Sequence, residues 1–168
     1  MGDPAVLEKV TVKLDLGFFA MDTEWVSDPR ERQAAWELYV ELATRIATQP
    51  LDPDTGIARE ALTSLHQLFA ITRATLRAAG PEVGATGGSV GYLAISVLNH
   101  GLRPFLSRWH PRLAAWEHGR APSVSPVAHE RDWKHDLQLR GELEAMRNKM
   151  WIYASALAEV AGIRRRKR

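Results

Sequence analysis

A long heptad pattern near the C-terminus constrains the fold more than any other feature of the sequence. Between residues 139 and 160, apolar side chains recur at alternating spacings of four and three residues, which places them on one side of an α-helix. The seam consists of Leu139, Leu143, Met146, Met150, Tyr153, Leu157 and Val160. Such a helix must bury its seam against other helices, so the pattern predicts a helical bundle.

Apolar periodicity and stop signals predict two helices in the first half of the chain. Asp28 is suited to cap the N-terminus of a helix over residues 29–48, which Pro50 follows. After a turn, a second helix runs to about Ala79 and stops at Gly80.

Two more helices are predicted in the second half. The third begins near Ser89, and Pro104 within it predicts a kink or break around residues 101–104, because proline lacks an amide donor and restricts the residue before it. The last helix begins at Ser125 and Pro126 as a single long element and ends at Gly162.

The N-terminal segment has the period of a strand. Apolar Val10, Val12, Leu14 and Leu16 alternate with polar residues, and no partner strand is visible in the chain. This segment either pairs with another subunit or lies across the bundle as an extended arm. The fold class predicted is all-α: an antiparallel four-helix bundle with a short N-terminal extended arm and a kinked third helix. The boundaries are 1–25 for the arm, 26–162 for the bundle and 163–168 for a basic tail.

Composition narrows the function. The 168 residues suit one domain, and the absence of cysteine excludes disulfides, thiolate catalysis and cysteine-ligated metals. No apolar run approaches the length needed to span a bilayer, and no signal sequence is recognisable, so we expect a cytoplasmic protein with no membrane partner.

The basic tail at the C-terminus consists of Arg164, Arg165, Arg166, Lys167 and Arg168. Without them acidic residues outnumber basic ones, so nucleic-acid binding would depend on this tail.

Arg103 and His110 are the catalytic candidates. Six residues separate them on a helical stretch, which resembles the Arg-x4-6-His motif of HEPN-family ribonucleases. That resemblance implies a helical bundle with a site assembled across a dimer, in which the histidine does acid–base work and the arginine stabilises phosphate charge. Pro104 departs from the motif, which favours a polar residue there. The alternative is an ordinary solvated helix face.

Metal and nucleotide sites are not expected. Asp132 and His135 form one carboxylate-x-x-His pair, whereas di-iron bundles need two. The glycine-rich segment 84–91 precedes a helix but lacks the lysine of a P-loop and follows a helix rather than a strand. No cofactor or metal is therefore predicted.

Three tryptophans flank the predicted linker at Gly119. Trp109, Trp116 and Trp133 either cluster as an exposed surface for a partner or pack in the core.

The first predicted hairpin of helices resembles that of the small four-helix-bundle family that includes the accessory variability determinant proteins of diversity-generating retroelements. The similarity lies in Leu38-Tyr39, Pro50 and Gly56-Ile57. It implies a homo-oligomeric bundle, and in retroelement members a basic surface for nucleic acid and reverse transcriptase. Glu60 stands where that family tends to carry arginines.

The sequence as a whole favours a non-enzymatic interaction or adaptor module. We expect it to form a homo-oligomer or to bind a helical protein partner, within a bacterial multi-component or defence system. The alternatives are a HEPN-like, metal-independent ribonuclease using Arg103 and His110, and a nucleic-acid-binding accessory protein acting through the tail.

Overall fold

The computed structural model describes residues 8–163, and the protein is mostly helical. The chain begins with strands β1 (Glu8–Asp15) and β2 (Ala20–Ser27). The helices are α1 (Pro29–Ala43), α2 (Ala58–Ala79), α3 (Val90–Ser96), α4 (Arg103–His118), α5 (Pro126–Arg131) and α6 (Asp136–Val160). Short 3-10 turns cover Ile46–Thr48 and Pro81–Gly84, and a π-helical turn covers Val97–Leu102.

The predicted N-terminal strand exists, but the expectation that it has no partner in the chain is wrong. β1 pairs with β2 in an antiparallel hairpin, with Val12 opposite Thr23. Val12 and Leu14 are buried, and β1 packs against α6. The protein therefore carries a two-stranded sheet in addition to its helices, and the description "all-α" is too narrow.

The first two helices lie close to their predicted positions. The Asp28 carboxylate accepts hydrogen bonds from the backbone N–H groups of Arg30 and Glu31 at 2.8 and 2.9 Å, which caps α1 as predicted. α1 ends at Ala43 rather than at residue 48, because the chain turns into the 3-10 segment, where the Thr48 hydroxyl donates to the Leu42 carbonyl.

The helix predicted third continues through its prolines as α3, the π-helical turn and α4. The Arg103 N–H donates to the carbonyl of Leu98, five residues earlier, and Arg103 keeps helical dihedral angles. This wider turn immediately precedes Pro104, whose missing N–H is accommodated there. Gly101 lies in the same turn, where an added Cβ would clash with the Phe18 ring. The π-helical turn thus takes the place of the predicted break.

The predicted single last helix is divided into two. α5 ends at Arg131, and the backbone N–H groups of Trp133 and Asp136 donate to Glu130 and Trp133 carbonyls in successive turns before α6 begins. The Trp133 indole, which lies in this break, is buried.

One hydrophobic core joins the hairpin and the helices. α1 packs against α2 and α6, and α2 packs against α4. Over residues 8–163, no helix is both long enough and apolar enough to cross a membrane.

Candidate functional site in the cleft between α2 and α4

Helices α2 and α4 run antiparallel, and a surface cleft opens between them. Arg59 near the start of α2 contacts Glu117 near the end of α4, whereas Arg103 at the start of α4 lies over the Phe69 ring in the middle of α2. The cleft has a volume of about 340 Å³. α2 contributes His66, Phe69 and Arg73. α4 contributes Arg103, Leu106, Ser107, His110 and Pro111. We call this site the basic cleft.

Four of these residues form two pairs, each of one histidine and one arginine, which occur in opposite order along the two helices. His66 and Arg73 are seven residues apart on α2, and Arg103 and His110 are seven residues apart on α4. A spacing of seven returns to the same helix face after two turns. Because the helices are antiparallel, the two histidines meet at one end, with ring centroids 5.7 Å apart in an edge-to-face arrangement. Both arginines line the cleft away from that end.

His110 is held by Arg59. The Arg59 Nη1 lies 2.7 Å from the His110 Nδ1, and the Arg59 Nε lies 3.0 Å from the Glu117 carboxylate. A guanidinium can only donate, so Nδ1 is the acceptor and the neutral ring carries its proton on Nε2. This Nε2 is buried and has no hydrogen-bond partner among the described residues.

The pKa of His110 is lowered. Burial is the main cause, and the positive charges of Arg59 and His66 act in the same direction. The Leu62 carbonyl and the Glu117 carboxylate oppose this effect without reversing it. His110 therefore favours the neutral form, and neither of its ring nitrogens is available to a ligand in this arrangement.

The two arginines of the basic cleft are less engaged. Arg103 donates to the Asn99 side-chain oxygen through Nε at 3.3 Å and Nη2 at 3.1 Å, which leaves Nη1 free. Arg73 makes no hydrogen bond or ion pair with any part of the chain that the structure describes. No carboxylate among residues 8–163 lines the cleft, so both guanidinium charges are uncompensated there.

Two of the three tryptophans pack against each other, and the third packs against a histidine. The indoles of Trp109 and Trp133 are buried and contact each other edge to face, with ring centroids 6.0 Å apart. Trp116 is half-buried and stacks on the His129 ring at 4.7 Å. Burial of two of the three favours the core-packing interpretation over an exposed partner surface.

Of the two residues weighed as metal ligands, His135 packs on a tryptophan, and the neighbouring Asp136 is held in an ion pair. Asp136 pairs with Arg140 at 2.8 Å, and the His135 ring packs edge to face on Trp133. Within the described range no group of three or more His, Asp or Glu residues is arranged to hold a metal ion.

Side-chain carboxylates already occupy two helix N-termini. The Glu31 carboxylate accepts from the Val90 N–H at 3.1 Å, at the start of α3 after the glycine-rich loop. The Glu130 carboxylate accepts from Ala58 N–H at 2.8 Å and Arg59 N–H at 3.1 Å, at the start of α2. These buried glutamates fill the positions where an external anion would bind.

The sequence predicted one of the two His/Arg pairs of the basic cleft. It identified Arg103 and His110 but not their counterparts His66 and Arg73, although the same seven-residue spacing was present in the opposite order. The basic tail, residues 164–168, lies outside the described residues.

Comparisons of the chain with protein-family models, with curated proteins and with solved structures find no match.

Proposed function

We propose that this protein is a non-enzymatic binding module whose basic cleft holds a phosphate group. The observation that supports this is the pair of arginines, Arg73 and Arg103, which line one cavity with no carboxylate beside them. Arginines near a protein surface are commonly paired with carboxylates, as Arg108 is with Glu142 at 2.8 Å in this protein. Two uncompensated guanidinium groups in one cavity favour an anionic ligand.

Phosphate suits the cleft better than a carboxylate does. One carboxylate is satisfied by one guanidinium fork, whereas a phosphate group offers more oxygens and more charge to two forks. Ser107, exposed at the same surface, adds a hydroxyl donor.

Titration calorimetry with inorganic phosphate at pH 7.5 tests this proposal. We expect saturable, millimolar binding by the unaltered protein, which corresponds to about −4 kcal/mol. The Arg73→Gln/Arg103→Gln double variant should lose it. Arg77→Gln is a matched control, because Arg77 is exposed on the same helix and lies outside the basic cleft. Equal binding by all three proteins, or by none, would contradict the proposal.

We also propose that the protein, as a four-helix bundle, associates with further copies of itself. Trp36 and Val40 are exposed one turn apart on α1, and Ile152 is exposed on α6, which packs against α1. Apolar side chains that are neighbours on an exposed helix face, as Trp36 and Val40 are, favour contact with another protein chain. Light scattering after size-exclusion chromatography should show an oligomer for the full chain, and Trp36→Asp should shift it towards monomer. A monomer at tens of micromolar would rule out this part.

A HEPN-like ribonuclease is the second candidate, because Arg103 and His110 line the same cleft. Acid–base catalysis by His110 would require release of its Nδ1 from Arg59 or exposure of its Nε2. Metal-independent RNA cleavage that is lost in folded His110→Ala would support this candidate. Absence of cleavage by the unaltered protein would exclude it under the conditions assayed.

A further inference from the structure

We infer that the ligand of the basic cleft is a phosphomonoester, a terminal phosphate carried on an apolar group, rather than an internal phosphodiester. This inference deepens the proposed function and rests on it. Charge, hydrogen-bond donors and the apolar part of the wall each support it.

The charge of the basic cleft favours a phosphomonoester. Arg73 and Arg103 present two positive charges that no lining carboxylate offsets. A phosphomonoester carries between about 1.5 and 2 negative charges near neutral pH, because its second pKa is about 6. An internal phosphodiester carries a single negative charge. The monoester is therefore the better electrostatic match to both arginines together.

The hydrogen-bond donors of the basic cleft also favour a monoester. Arg73 has an unengaged fork, Arg103 has a free Nη1, and the Ser107 hydroxyl lies on the same wall. A terminal phosphate offers three oxygens that are free to accept from these donors. A diester has only two such oxygens, because a second ester bond occupies the third.

The volume of the cleft and its apolar wall favour a phosphate that carries an apolar group. The cleft volume of about 340 Å³ falls in the range of small-molecule sites and exceeds the needs of a bare phosphate. The exposed Pro111 and the half-buried Phe69, one face of which Arg103 covers, supply apolar surface beside the arginines, and Leu106 lines the cleft but is buried. An apolar or aromatic group attached to the phosphate would cover this surface and gain from its burial.

Calorimetry with a matched set of probes tests the inference. Phenyl phosphate is the monoester, methyl phenyl phosphate is the corresponding diester with one added methyl group, and inorganic phosphate lacks the apolar group. At pH 8 we expect phenyl phosphate to bind at least about tenfold more tightly than methyl phenyl phosphate, and more tightly than inorganic phosphate. Arg73→Gln should reduce the monoester preference to about threefold or less, whereas Arg77→Gln should preserve it.

The pH dependence provides an independent readout. Phenyl phosphate becomes a monoanion below its second pKa of about 6, so its preference over the methyl ester should diminish at pH 5. Sulfate, which remains dianionic at both pH values, is the control and should not weaken. Thermal unfolding of each variant verifies that it is folded.

The possible failures are distinguishable. Equal affinity for the two esters at pH 8 would overturn the phosphomonoester inference and leave the phosphate site in place. Absence of binding by phosphate, sulfate and both esters would overturn the proposed function itself. Tighter binding of a 5′-phosphorylated tetranucleotide than of phenyl phosphate, but not of its unphosphorylated form, would assign the terminal phosphate to a nucleic-acid end.

Discussion

Replacing Glu130 by glutamine tests how the start of α2 is held in place. The Glu130 side chain is buried, accepts hydrogen bonds from two backbone N–H groups of α2, and lies 3.5 Å from Nη2 of Arg140. Arg59 is one of the two residues whose N–H it accepts, so Glu130 also supports the residue that holds His110.

The cost follows from these contacts. A hydrogen bond to a charged group contributes about 1.5–3 kcal/mol, and glutamine retains one accepting oxygen while its amide opposes the second N–H. Arg140 keeps its ion pair with Asp136 at 2.8 Å, so losing the Glu130 charge costs less than the about 3–5 kcal/mol that follows when a buried charge is left without any partner. We therefore expect Glu130→Gln to lower the free energy of unfolding by about 3 kcal/mol, which corresponds to a fall in Tm of about 6–12 °C for a protein of this size.

Urea denaturation and differential scanning calorimetry would measure this loss. Glu60→Gln is the matched control, because Glu60 lies in the first turn of the same helix but is exposed. It should cost less than about 1 kcal/mol, the range of a surface charge at a helix terminus. A Glu130→Gln variant within about 0.5 kcal/mol of the control would refute the reasoning.

Three further predictions concern the rest of the fold and the cleft. Burial raises the pKa of Glu31 in the folded protein. The stability of the unaltered protein relative to Glu31→Gln should therefore be greatest below the ordinary glutamate pKa and should fall as the pH rises through the raised value. Urea unfolding between pH 4 and 7 measures this difference, and the opposite slope would contradict the prediction. Gly101→Ala places a methyl group against the Phe18 ring and should destabilise the protein by about 1–3 kcal/mol, whereas Gly141→Ala, where the space is open, should not; equal effects in urea unfolding would refute the contact. Arg59→Gln removes a positive charge and the donor to Nδ1, so the His110 pKa should rise in an NMR titration of the imidazole; a fall would show that Arg59 does not act as described.

Local patterns predicted most of the individual elements. The seam from Leu139 to Val160 became α6, and the alternation from Val10 to Leu14 became β1. β2 was not predicted, because its inner face alternates apolar Met21 and Trp25 with polar Thr23 and Ser27, and apolar Val26 lies on its exposed face, so the apolar period of two is lost. The break between α5 and α6 contains neither glycine nor proline, so it carried no local signal.

The residues of the basic cleft could be predicted from the sequence only in part. Arg103 and His110 share one helix face, which spacing alone predicts. Their relation to His66 and Arg73 depends on the antiparallel register of two helices, which spacing within one helix does not encode. The contact of Arg59 with His110 joins residues 51 positions apart and arises from the same packing.

An NMR titration of the isotope-labelled protein with inorganic phosphate tests the central claim most directly, because it locates the binding site as well as detecting binding. The account predicts saturable shifts of backbone amides in two stretches, residues 66–73 of α2 and 103–111 of α4, with no comparable change at the starts of α2 and α3. Shifts absent from both stretches, or unchanged in the Arg73→Gln/Arg103→Gln double variant, would contradict it.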